Sequence, residues 1–154
     1  VQGGYEYEGK SYRGRNTFYQ HTLLGAPDMT TCTGCHMLGN ELDHAFGLPD
    51  VNNCITCHGG DTFATLDGSP VVSKTDISLL KDQLLDLLIA SGVTVVDGYP
   101  YFSGISSEQQ LKAAYNWQFA DKEPGGYIHN GIYIRQLLFD AIQYMGATPV
   151  ATRP

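Results

Sequence analysis

The chain has 154 residues, enough for one domain of ordinary size. Its formal net charge of -7 at pH 7 argues against a nucleic acid or an anionic membrane surface as a partner. The longest largely apolar stretch, 84–96, contains Asp86 and Gly92 and is shorter than the roughly 18 to 20 residues that a membrane span needs, so we expect no transmembrane segment.

All four cysteines fall in two clusters of the same form, Cys-x-x-Cys-His, at 32–36 and 54–58. A four-thiolate zinc site fits the 18 residues between Cys35 and Cys54, but it would not use a histidine after each pair. A thioredoxin-like redox pair would need a preceding strand and a following helix, and neither flank looks like that. The pattern is instead the signature of covalent haem c attachment.

Each cluster is expected to anchor one haem. Two intervening residues let one tight turn present both sulfurs to the two vinyl groups of the porphyrin, and the next residue then reaches the iron. We predict two haem c groups with thioether bonds to Cys32, Cys35, Cys54 and Cys57. The proximal ligands of the two irons are then His36 and His58.

Three histidines remain as candidates for the distal side of the two irons: His21, His44 and His129. The chain repeats a Gly-x-Pro-Asp turn and a haem motif at an offset of 22 residues, and each copy is preceded by a histidine that is shifted by one. Such a turn lets the chain reverse, so that a histidine about ten residues before the cysteines can lie over a porphyrin face. The repeat therefore indicates His21 and His44, for either haem of the pair or for that of a neighbouring chain.

Methionine is the other possible distal ligand, at Met29, Met37 or Met145. Met37 directly follows a ligating histidine and is expected to point away from the iron. Met145 lies on the apolar face of a predicted helix and is expected to pack in the core. We therefore expect bis-histidine coordination of both irons, which lowers the potential relative to His/Met cytochromes.

The second half of the chain has helical periodicity. One helix is predicted from Asp76 to a stop at Gly92, with a stripe of Ile77, Leu80, Leu84, Leu87 and Leu88. A second begins at the capping signal 106–109 and is expected to bury Leu111, Ala114, Tyr115 and Phe119. A third runs from about Asn130 to Met145 and is closed by Gly146, with Ile134, Leu138, Ala141 and Ile142 on its apolar face. A short hairpin is possible between 93–96 and 99–102.

These patterns predict a mostly α fold with little β, in which a loop-rich N-terminal dihaem-binding half packs on a C-terminal three-helix half. We predict a single dihaem cytochrome c domain over 1–154. Its haem-binding repeats would occupy 1–75 and its helical support 76–154.

Two segments resemble one known family. They are HAFGLPDVNNCITCHGG, from His44 to Gly60, and AAYNWQFADKEPGGYIHNGIYIRQLLFDAI, from Ala113 to Ile142. Both are similar to the C-terminal part of multihaem c-type cytochromes of bacteria and archaea, some of them extracellular. In that family the histidine of the His-Asn pair is commonly a distal ligand, which implies this role for His129. His44 is common to the repeat and to the family pattern, so it is the distal ligand that we predict. His129 and His21 are further candidates, one of which is expected to serve a neighbouring subunit's haem or a structural role.

Two six-coordinate irons would leave no vacant position for a substrate, so we expect an electron carrier rather than an enzyme. A dihaem enzyme with one open iron and an acid/base residue above it is the alternative class, and a haem-based sensor would need an output domain that no segment resembles. Low charge, ten tyrosines and a surplus histidine favour a homo-oligomer or an extracellular filament with stacked haems, with redox proteins as partners. The alternative is a small periplasmic shuttle.

The start of the chain bears on its location. It begins with Val1 and without a basic and apolar leader, as expected after removal of a targeting peptide or for a fragment. We expect an extracytoplasmic location, at the cell surface or beyond it rather than periplasmic.

Overall fold

The computed structural model of the chain describes residues 3–13, 32–36, 65–66, 69–70, 74–99, 101–123 and 125–154. More than half of these residues are helical, in α1 (Cys32–His36), α2 (Lys74–Ala90), α3 (Glu108–Asp121), α4 (Gly126–His129) and α5 (Gly131–Tyr144). The described strands have two residues each and form two small sheets, β1 (Thr65–Leu66) with β2 (Ser69–Pro70) and β3 (Thr94–Val95) with β4 (Phe102–Ser103). The prediction of a mostly α fold with little β is confirmed.

The chain divides into two compact units. One consists of Val1–Arg15 and Pro70–Pro154 and contains α2 to α5; the other is Asn16–Ser69 and contains α1. We call the first the helical unit. The predicted single domain with its subdivision at residue 75 stays a prediction.

Helix α2 forms as its apolar periodicity predicts. It begins two residues before Asp76, and the stripe of Ile77, Leu80, Leu84 and Leu88 is buried. The helix ends where Gly92 takes a φ of 95°, a left-handed conformation that suits glycine, and the N–H of Val93 donates to the carbonyl of Leu88. At about 2 kcal/mol for each fully buried leucine, this stripe is a main source of the stability of the helical unit.

Helix α3 begins at the predicted capping signal but buries a different face. Ser107 is the N-cap and forms a capping box with Gln110. The predicted burial of Leu111 and Tyr115 is wrong, because these side chains are 57% and 52% exposed. The buried face consists mostly of small or amide side chains: Gln110, Ala113, Ala114, Asn116 and Ala120. Of the other two predicted residues, Ala114 is buried, and Phe119 is partly buried against the core.

Helix α5 is the central element of the helical unit, since α2, α3 and α5 pack against one another in pairs and α4 packs on α5. Ten of its residues are buried, and the largest fully buried apolar side chains among them are Tyr133, Ile134, Leu137, Leu138 and Ile142. Met145 follows the helix and packs against this core, as predicted. The helix stops where Gly146 takes a φ of 85°.

The predicted hairpin exists with a longer connection than a two-residue turn. Strands β3 and β4 are antiparallel, and Thr94 pairs with Ser103 and Val95 with Phe102. The predicted second strand, 99–102, is wrong in its position by about two residues. The loop contains two left-handed residues, Gly98 with a φ of 75° and Tyr101 with a φ of 68°, which end the pairing early.

The first residues of the chain belong to the helical unit. Asn116, which is fully buried, accepts a hydrogen bond from the N–H of Tyr5 at 2.6 Å and donates to the carbonyl of Tyr5 at 2.9 Å. Tyr7 is buried in the core. Gly4 lies against Leu137 so closely that a Cβ at this position would fall 2.0 Å from a methyl carbon. The segment is therefore part of the packing and not a loose extension.

The last residues of the chain are held by polar side chains of α5. The carboxylate of Asp140, which is fully buried, accepts two hydrogen bonds of 2.9 Å from the guanidinium of Arg153. The side chain of Gln136 donates to the carbonyl of Pro154 at 2.8 Å and accepts from the N–H of Arg13 at 2.8 Å. Helix α5 thus fixes the first and last segments together, and each of these buried polar groups has a partner.

Candidate functional site

The first haem motif forms a single helical turn. Helix α1 consists of the five residues CTGCH. Residues three and four positions apart lie on the same side of a helix, so positions 32, 35 and 36 share one side of this turn. His36, the predicted proximal ligand, is partly exposed. A single tight turn of this kind agrees with the turn that the sequence predicts for the haem motif.

His129, the candidate distal ligand of the helical unit, is the last residue of α4. Asn130 ends α4 and is at the same time the N-cap of α5, so the histidine lies at a fixed corner between two helices. Its side chain is 26% exposed, and that of Glu123 is 24% exposed. The predicted position of His129, where the Gly-Gly loop meets the third long helix, is confirmed.

The imidazole of His129 is oriented by a carboxylate. Its Nδ1 atom lies 2.7 Å from Oε1 of Glu123. A carboxylate only accepts hydrogen bonds, so Nδ1 donates the proton of this contact. In the neutral imidazole the lone pair then resides on Nε2, which is the nitrogen that can bind a metal. The residues thus fit the role of an axial haem ligand whose other ring nitrogen is hydrogen-bonded.

Two glycines make room for this arrangement. A Cβ on Gly125 would lie 2.7 Å from Cε1 of His129, and a Cβ on Gly126 would lie 2.4 Å from a methyl carbon of Ile134. The N–H of His129 also donates to the carbonyl of Gly125 at 2.9 Å. Because Gly125 has a φ of -86°, the glycine is needed here for the close approach of the imidazole and not for its backbone conformation.

An open groove of about 300 Å³ adjoins this corner. Its lining residues, all in the helical unit, are Tyr115, Gln118, Phe119, Lys122 and Glu123. Lys122 is exposed, lies over the ring of Tyr101 at 4.1 Å, and has a raised pKa because of its hydrogen bond with Tyr101 and the charge of Asp121. The groove therefore combines aromatic surface with one cation and one carboxylate.

The other predicted ligands lie outside the described residues: Cys54, Cys57, His58, His21 and His44. Met29 and Met37 lie outside them as well. Within the ranges that the structure describes, no three His, Cys, Asp or Glu side chains come together as a metal site.

Sequence reasoning missed Glu123 and Gly125 as neighbours of His129. The signal was present as a glutamate six residues before the histidine, separated from it by Pro-Gly-Gly-Tyr-Ile. A separation of six residues is not a helical neighbour spacing, so the pair comes together only because the chain turns between α3 and α4.

The chain is similar to curated relatives over nearly its whole length. It is 27% identical over 188 aligned positions to the C-type polyheme cytochromes OmcC and OmcB of Geobacter sulfurreducens, in an alignment covering 92% of this chain. The chain spans only about a quarter of the length of these relatives. No family model matches the sequence, and no solved structure matches it. No helix in the described part of the chain is long and apolar enough to cross a membrane. The predicted resemblance is confirmed: this chain is similar to one segment of the multihaem c-type cytochromes.

Proposed function

We propose that this chain transfers single electrons through two covalently bound haem c groups. The observation that carries the proposal is the similarity of the chain to polyheme cytochromes, and the tight helical turn at Cys32–His36 supports it. When bound, each haem supplies a reversible one-electron iron couple. The thioethers would form at Cys32, Cys35, Cys54 and Cys57.

We propose bis-histidine coordination for both irons, with His36 and His58 as proximal ligands. Among the distal candidates, the geometry supports His129, because the contact with Glu123 leaves the lone pair of its ring on Nε2. His44 remains the distal ligand that we propose from the repeat. His21 is the third candidate, with a neighbouring subunit or a structural role as its alternatives.

Full axial coordination distinguishes an electron carrier from a dihaem enzyme, because an enzyme of that class needs one open iron. We expect only low-spin signals in the absorption and EPR spectra of the oxidised protein. His129→Ala should convert one haem to a high-spin form, whereas Gln118→Ala, which alters the adjoining groove, should not. A high-spin haem in the unaltered protein would contradict the proposal and favour the enzyme.

We further propose that copies of the chain associate into a filament with stacked haems, outside the cytoplasm and at the cell surface or beyond it. Supporting this are apolar side chains on the outside of the helical unit, including Leu111 on α3, Leu79 on α2 and Tyr99, which is 85% exposed. Electron microscopy of concentrated protein should show fibres, and Leu111→Glu should reduce their number. A protein that sediments only as a monomer at high concentration would instead be a small periplasmic shuttle.

A further inference from the structure

We infer that Glu123 and Gly125 are positioning residues for the haem ligand His129, and that the carboxylate of Glu123 lowers the reduction potential of the haem that His129 binds. This inference rests on the proposed ligation by His129 and adds to it the groups that control it. Neither residue contacts the iron in this proposal, and both act through the imidazole.

The distance and the burial of the pair support a strong interaction. The contact of 2.7 Å between Glu123 and His129 is in the range of charge-assisted hydrogen bonds. Both side chains are about three-quarters buried, so water screens the carboxylate less than it would at an exposed site.

The carboxylate is itself held in place. The carbonyl of Glu123 accepts a hydrogen bond from the N–H of Gly126 at 2.9 Å. The Cγ atom of Glu123 lies close to Gly126, 3.2 Å from the position that a Cβ on this glycine would take. Gly125 also lies against the ring and has no side chain, so the imidazole can approach its backbone closely. The ring is thus held by a contact with each of the two residues.

Charged side chains at the end of α3, next to Glu123 in the sequence, are engaged with other groups. Lys122 lies over Tyr101 and 3.6 Å from the carboxylate of Asp121, which also binds Lys81 at 2.7 Å. These charges partly compensate one another at the end of α3. Glu123 is the carboxylate for which the structure shows a direct contact with the imidazole.

A carboxylate that accepts the Nδ1 proton makes an imidazole a stronger electron donor and fixes its tautomer. A stronger donor stabilises the oxidised iron more than the reduced iron, because the oxidised iron carries the higher charge. Hydrogen bonding to an axial ligand is one of the means by which a protein sets a haem potential. The haem bound by His129 should therefore have a lower potential than it would with a neutral partner in place of Glu123.

Two substitutions separate charge from geometry. Glu123→Gln keeps an oxygen that can accept the Nδ1 proton but removes the negative charge, and Glu123→Ala removes both. Glu8→Gln, at an exposed glutamate, is the matched control for loss of one carboxylate. The measurements are a redox titration followed by EPR and the binding of carbon monoxide to the reduced holoprotein, since carbon monoxide competes with the distal imidazole.

We expect E123Q to raise the potential of the haem whose low-spin signal is lost in His129→Ala, and to leave that signal low-spin. E123A should raise the same potential and also increase the binding constant for carbon monoxide at that haem by about 10- to 100-fold. E8Q should change neither quantity. The expected changes are confined to one haem, whereas a general loss of structure would change the potential and the carbon monoxide binding of both haems.

Two outcomes would overturn the inference, and they are distinguishable. If His129→Ala leaves every haem low-spin and every potential unchanged, the proposed ligation is wrong and the inference is wrong with it. If His129→Ala opens one haem but E123Q and E123A match E8Q in potential and carbon monoxide binding, the ligation stands and the role of Glu123 is refuted.

Discussion

Substitution of Gly125 by alanine should weaken the ligand His129 without weakening the fold. The backbone at Gly125 has a φ of -86° and a ψ of 6°, a region that is sparsely populated but open to alanine. Gly→Ala at such a position reduces the entropy of the unfolded chain and typically stabilises a protein by about 0.4 to 1 kcal/mol. The free energy of unfolding of the helical unit should therefore stay within about 1 kcal/mol of the original value.

The effect on the imidazole is steric, and its size can be taken from the structure. The added Cβ would lie 2.7 Å from Cε1, 3.1 Å from Nδ1 and 3.2 Å from Nε2 of His129. Ordinary contacts between carbon atoms begin near 3.4 Å, so the ring has to move by roughly 0.7 Å. A shift of this size stretches either the contact with Glu123 or the bond to the iron. We expect at least about a tenfold increase in carbon monoxide binding at the affected haem, comparable to the loss of an outer hydrogen bond.

The assay combines carbon monoxide titration of the reduced protein with urea unfolding followed by circular dichroism at the helix band. Gly146→Ala is the control, because Gly146 has a φ of 85° and a Cβ there would have no neighbour within 4 Å. That substitution should cost about 1 to 2 kcal/mol of stability and leave carbon monoxide binding unchanged. If G125A binds carbon monoxide as the original protein does, the steric argument for the ligand corner is refuted.

Three further predictions concern the helical unit. Arg153→Met removes two hydrogen bonds to the buried carboxylate of Asp140 and leaves Lys10, at 3.7 Å, as its cation, so it should reduce the free energy of unfolding measured in urea by about 1.5 to 3 kcal/mol; an unchanged free energy would contradict the role of Arg153. The pKa of Asp121 is lowered, because the hydrogen bond and charge of Lys81, together with the charge of the neighbouring lysine, outweigh the effect of burial, which would raise it. A lowered carboxyl pKa adds stability above the pKa of the unfolded state, which is about 3.9 for Asp, and this stability is lost as the pH falls through the pKa of the folded state. In Lys81→Met the free energy of unfolding should therefore depend less on pH in this acidic range. Leu84→Ala should cost about 2 to 5 kcal/mol, whereas Leu111→Ala should cost less than about 0.5 kcal/mol; equal losses would contradict the assigned faces of α2 and α3.

The sequence predicts the helices of the helical unit well where local signals agree. The apolar stripe of α2, the capping serine of α3 and the closing glycines 92 and 146 each act over a few residues, so their effect can be read without the tertiary structure. The same holds for Met145, which continues the apolar face of α5 into the core.

The inner face of α3 could not be predicted in this way. Its hydrophobic period indicates Leu111 and Tyr115, but the buried positions are small or polar. Asn116 is buried because it pairs with the backbone of Tyr5, which is 111 residues away in the sequence. A contact of that separation leaves no periodic signal, and tertiary hydrogen bonding overrides the apparent apolar face.

In the candidate site, too, some features follow from the local sequence and others depend on the tertiary structure. The ligand types follow from the spacing of Cys, Cys and His, because the chemistry of attachment requires that spacing. The partners of His129 follow from the turn at Pro-Gly-Gly, where Gly125 admits the ring and Glu123 reaches Nδ1. Whether a glutamate six residues away touches a histidine depends on the path of the chain between them, which composition and periodicity do not specify.

The central claim is that two haem groups are joined to this polypeptide through its four cysteines. Intact-mass measurement of the holoprotein under denaturing conditions tests it directly, because only covalently bound haem stays with the chain. The claim predicts a mass about 1.2 kDa above the 16.8 kDa of the polypeptide, since each motif carries one haem. A mass equal to that of the bare chain, with four free or zinc-bound thiols, would contradict it.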